Sequence, residues 1–111
     1  MLPRSARLSV VQFNLVMEKG KATHSPFFVV RVLKMEGATR IAATVPVKVC
    51  KKATSRNKLR RQIYEAVQLV RGSLVSGVQA IVFAKKGAET ASFEDLSKSL
   101  KEIFVKAGLM K

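Results

Sequence analysis

The chain has 111 residues, 48% of them apolar, and its 21 Lys and Arg against seven acids give a formal net charge of +14. That length fits one domain, 1–111, which should bury roughly two thirds of its unfolded surface, and the apolar fraction excludes a disordered basic tail. No stretch reaches the roughly 18 uncharged apolar residues of a membrane span, and with no Trp and Tyr64 as the one Tyr there is no interfacial belt. The partner expected for such a charge is therefore nucleic acid and not a membrane. The start, MLPRSARLSV, lacks the apolar region of a signal peptide, so a cytoplasmic location is expected. Cys50 is the single cysteine and His24 the single histidine, which leaves no internal disulfide and no zinc ligand set. Both read as structural residues at strand ends or turns.

In chain order, Ser9 followed by Gln12 forms a capping-box pattern, and Val10, Phe13, Val16 and Met17 recur at helical spacing until Gly20 ends a short first helix. KATH reads as a short edge strand. PFFVVRVLK, from Pro26, reads as a strand apolar on both faces, and beyond the turn signal Gly37 the stretch RIAATVP reads as its hairpin neighbour. Thr54 or Ser55 is the expected N-cap of a second helix whose inner face is Leu59, Ile63, Ala66, Val67 and Val70, with Gly72 as its stop. The opposite sector carries Asn57, Arg60, Arg61, Tyr64, Gln68 and Arg71, flanked by Arg56 and Lys58. VQAIVFAKKG is another strand, and Ser92 with Asp95 opens a third helix lined by Phe93, Leu96, Leu100, Ile103, Phe104 and Ala107 up to Gly108. The order α-β-β-β-α-β-α predicts an α+β fold, three helices packed on a small mixed sheet. The strand order stays open at this point, as does the oligomeric state.

Charge is distributed unevenly over these elements. Between Lys48 and Arg61 stand Lys48, Lys51, Lys52, Arg56, Lys58, Arg60 and Arg61, with no acid among them. Cations at a helix start oppose the macrodipole at about 0.3 to 1 kcal/mol each. The third helix obeys the ordinary rule, with Glu94 and Asp95 first and Lys106 last. A rule broken at one helix and kept at another points to function at the first: phosphates supply the missing negative charge. The competing account is a solvated face on a basic protein. A helix-turn-helix DNA reader would need a short helix just upstream, where this chain has the strand RIAATVPV, so RNA is favoured. Phe13, Phe27, Phe28 and Tyr64 are candidate stacking platforms for single-stranded bases. The acids, Glu18, Glu36, Glu65, Glu89, Glu94, Asp95 and Glu102, form no Asp-rich cluster for two-metal chemistry. A self-sufficient nuclease is thus disfavoured, and a general RNA-binding or ribosome-associated protein remains as the alternative to a subunit of a larger enzyme.

The stretch Lys51–Glu65 resembles the signature of the bacterial ribonuclease P protein component, which commonly reads K-K-A-V-x-R-N-R-x-K-R-x-x-R-E. Lys51, Lys52, Ala53, Arg56, Asn57, Arg61 and Glu65 are identical to it, and Lys58 and Arg60 keep the charge. RLSVVQFNLVMEKGK and IVFAKKGAETASFEDLSKSLKEIF are similar to the family's first helix and to its last strand and helix. The resemblance implies an α-β sandwich with a left-handed β-α-β crossover through the basic helix. It further implies an accessory subunit of a ribonucleoprotein endoribonuclease, in which a catalytic RNA uses Mg2+, bound mainly by that RNA, to remove the 5′ leader of precursor tRNA. Carried over by position, Lys48, Lys51, Lys52, Arg56, Asn57, Lys58, Arg60, Arg61 and Tyr64 would meet RNA. Phe13, Met17, Phe28 and Arg31 would line a cleft for the single-stranded leader. Four places depart from the family: Tyr64 stands for a frequent Arg, Pro46-Val47-Lys48 for Ser-Lys-Lys, Met17 for an aromatic and Arg31 for a frequent Tyr.

Overall fold

The computed structural model describes residues 8–111. Helix α1 spans Val10–Lys19 and opens on the expected capping box: Ser9 Oγ accepts the Gln12 N–H at 3.2 Å, and Gln12 Oε1 accepts the Ser9 N–H at 3.0 Å. It ends at Gly20, whose φ of −72° any residue could adopt. Glycine is needed there for space, since a Cβ would lie 2.5 Å from the Val16 carbonyl oxygen and 3.2 Å from that of Val32. The first helix is thus pressed onto the sheet at its C-terminus.

Four strands follow in the chain: β1, Lys21–His24; β2, Phe28–Lys34; β3, Arg40–Thr44; and β4, Val78–Ala84. Their spatial order is β1-β2-β4-β3, with β1 and β4 antiparallel to β2, and β3 parallel to β4. KATH is indeed an edge strand. The hairpin expected between β2 and β3 is not formed, because β4 lies between them, paired with β2 from Phe28↔Ala84 to Lys34↔Val78 and with β3 from Arg40↔Gln79 to Thr44↔Phe83. The physical reason is burial: six of the seven residues of VQAIVFA are buried, which only a central strand can achieve. Glycines make the crossing connection. Gly37 and Gly77, at φ of 103° and 75°, let the β2–β3 link pass the start of β4, tied by Gly77 N–H to the Gly37 carbonyl and by Met35 N–H to the Gly77 carbonyl.

Between β3 and β4 runs α2, Ala53–Val70, which makes these parallel neighbours a β-α-β unit. With α3, Phe93–Lys106, it covers one sheet face. There Leu59, Ile63 and Val67 of α2 and Leu96, Leu100, Ile103 and Phe104 of α3 join Phe28, Val30, Ile41, Ala80 and Val82 in the core. Each fully buried Val, Leu, Ile or Phe side chain among them contributes about 1.5–3 kcal/mol. Helix α1 packs on β2 and β4 from the opposite face, where Val16 and Ile81 are completely buried. The result is the expected α-β sandwich, with two helices on one side of a mixed sheet and one on the other.

Candidate nucleic-acid interface

The start of α2 differs from its expected form. Lys52, not Thr54 or Ser55, occupies the N-cap position, and it makes no side-chain cap hydrogen bond. The preceding loop is held from within the helix instead, by Arg56, whose Nη1 donates to the Cys50 carbonyl at 3.2 Å and to the Lys51 carbonyl at 2.6 Å. Arg56 therefore braces the loop that presents Lys51 and Lys52, both exposed. One turn on, Asn57 and Arg60 are joined by an Arg60 Nη2 hydrogen bond to Asn57 Oδ1, and Arg61 stands exposed beside them at the i+4 position. Lys58 is exposed on the other flank, where it borders a shallow depression with Gln62 and Glu89.

Tyr64 corrects the sequence reading. The residue is buried, 8% exposed, and its hydroxyl accepts the Ala43 N–H at 3.1 Å. Because β3 is an edge strand, its outward N–H groups lack strand partners, and Tyr64 satisfies one of them. A ring so placed supports the fold and offers no face to a base.

The opposite sheet face carries a cleft of about 690 Å³ between α1 and the β3–α2 loop. Its floor is Val29 and Phe83, directly paired across β2 and β4, with Arg31 next along β2. Met17 forms one wall, Pro46, Lys48 and Val49 the other, and Lys85 and Lys86 close one end. Lys85 Nζ is anchored on the Ser25 carbonyl at 2.9 Å, whereas Lys48 and Lys86 are exposed.

Of the four expected cleft residues, Met17 and Arg31 lie in the lining. Phe28 does not: it is 0% exposed in the core under α2 and α3, because strand side chains alternate and Arg31 and Phe28 differ by an odd number. Phe13 is half-buried on α1 and outside the lining. The aromatic of the cleft is Phe83, which lies inside an apolar run of the sequence. Parity within β2 puts Val29 on the face of Arg31, but only the β2–β4 register, which pairs Val29 with Phe83, places that ring in the cleft.

The loop from Pro46 to Lys52 joins the two surfaces, with Lys48 at the cleft and Lys51 and Lys52 at the head of α2. Among the described residues, no group of three or more His, Cys, Asp or Glu could hold a metal ion. No helix among the described residues is long and apolar enough to cross a membrane.

Comparison with known proteins agrees with this geometry. The model of the Ribonuclease P family matches residues 2–108. A ribonuclease P protein component from Bacillus cereus is 31% identical over 100 residues, covering 88% of this chain and 86% of that protein. One from Synechocystis sp. is 30% identical over 112 residues, covering 98% and 90%. Among solved structures, the RNase P protein of Thermotoga maritima is similar with a TM-score of 0.80 at 26% identity, covering 90% of this chain and 96% of that one. That of Staphylococcus aureus shares the fold with a TM-score of 0.85 at 22% identity, covering 96% and 98%.

Proposed function

Because the chain belongs to the ribonuclease P protein family and is thereby an accessory subunit of the ribonucleoprotein endoribonuclease that processes the tRNA 5′ leader, we propose that it works through two RNA surfaces joined by one basic loop. The first is the head of α2, where Lys51, Lys52, Asn57, Lys58, Arg60 and Arg61 bind the backbone of the catalytic RNA. There the unpaired N–H groups of the first turn and the surrounding cations act on the same phosphates. The second is the cleft, where the leader of precursor tRNA lies over Val29 and Phe83 while Lys48 and Lys86 meet its phosphates. Stacking on one aromatic ring is worth about 1–3 kcal/mol per base, and it is indifferent to sequence.

One observation carries this reading: a helix start crowded with cations and left without a cap lies next to an apolar-floored cleft rimmed by lysines, with Lys48 between them. The chemistry of cleavage belongs in this reading to the RNA and to the Mg2+ it binds, in the cytoplasm. The protein binds, orients and screens charge.

Reconstitution with a cognate catalytic RNA tests it. At low magnesium, where repulsion between the two RNAs is least screened, the protein should restore cleavage of a precursor carrying a leader, and Lys86→Ala should weaken that precursor's binding more than that of leaderless tRNA. Cleavage indifferent to the protein at every magnesium concentration overturns the reading.

A further inference from the structure

Arg31 occupies the cleft floor without presenting its charge there freely. From the middle of β2 it reaches across to α1, where Nη2 donates to the Met17 carbonyl at 2.8 Å and to the Gly20 carbonyl at 2.9 Å. These oxygens lie at the C-terminal end of a helix, where carbonyls lack intrahelical partners and a cation is favoured by the macrodipole. The Nε of the same guanidinium is buried with no partner, an unfavourable state that only a position held by its surroundings sustains. Met17, whose carbonyl Arg31 holds, is itself the α1 wall of the cleft. Gly20 leaves no slack in the arrangement, because a side chain there would run into the Val16 and Val32 carbonyls.

We propose that Arg31 is a latch: a positioning residue that pins the last turn of α1 to the sheet and so sets the width of the cleft, without itself binding RNA phosphate. This rests on the reading that the cleft receives single-stranded RNA. A guanidinium suits the task because the two N–H bonds of its planar Nη2 are fixed in direction and reach both acceptors at once, which a rotating lysine ammonium does with less order.

Two variants and two readouts test the latch. In Arg31→Met and Arg31→Lys, amide hydrogen exchange on the free protein should quicken roughly tenfold across the last turn of α1 while β4 and α2 keep their protection, as for a local opening. Binding of a short oligouridylate should weaken in both variants. In Arg31→Met, which removes the charge, the salt dependence should still keep its slope, whereas removal of a phosphate-binding group would flatten it by roughly 0.7. Unchanged α1 protection in Arg31→Met overturns the latch, and so does an Arg31→Lys protein that binds oligouridylate as the parent does. Loss of protection with unchanged binding overturns the positioning role. A parent protein whose oligouridylate binding is insensitive to Phe83→Ala and Lys86→Ala overturns the cleft reading instead, while exchange on the free protein still reports whether Arg31 pins α1.

Discussion

At the start of α3, Ser92 accepts the Asp95 N–H at 3.1 Å, and Glu94 and Asp95 stand in the first turn. At the start of α2, Lys52 fills the equivalent position with no side-chain hydrogen bond, no acid follows in the first turn, and Lys51 and Arg56 add to the charge. Both helices pack on the same sheet face and share one core, so the difference does not come from the demands of folding. A cap is worth about 0.5–2 kcal/mol, and α2 forgoes it while its apolar face holds it in place. What α3 spends on its own end, α2 leaves open for an external anion.

The comparison breaks most sharply if α2's charges are removed. Lys58→Ala, Arg60→Ala and Arg61→Ala together should flatten the log–log salt slope for structured RNA by about two to three units, about one for each phosphate that is no longer neutralised. Thermal unfolding should stay near that of the parent, because these side chains lie outside the core. A salt titration of binding by the triple variant, with Arg61→Ala as its single-step control, checks this. A large fall in melting temperature with an unchanged slope would make the residues structural.

A second substitution rebuilds α2 in the image of α3. Lys52→Asp supplies the missing cap and an acid at the positive end of the dipole, so it should stabilise the fold by about 1 kcal/mol and weaken RNA binding at the same time. Opposite signs in denaturant midpoint and RNA affinity are the expected signature. The converse change, Ser92→Ala, removes a cap that serves folding alone, so it should cost about 1 kcal/mol of stability and leave RNA affinity unaltered.

Much of this was legible in the residues. Ser9 with Gln12, Ser92 with Asp95, and the 3.6-residue spacing of Leu59, Ile63 and Val67 are local signals, and the helices fall where those signals put them. The cation cluster was equally plain, since charge along a chain needs no folding to be counted. The start of α2 lies earlier than its polar residues suggest because Lys52 takes the cap position with no side-chain bond, while Arg56 ties the preceding loop from inside the helix, which no local pattern announces.

The sequence by itself determined which segments are helices and strands, where the excess charge lies and which family the chain resembles, because these depend on near neighbours and on composition. Only the tertiary structure decided that β4 divides β2 from β3, that Tyr64 completes an edge strand, that Phe83 and not Phe28 faces the cleft, and that Arg31 holds α1. Each depends on pairing between residues far apart in the chain, where a shift of one position in a strand exchanges the two faces of the sheet.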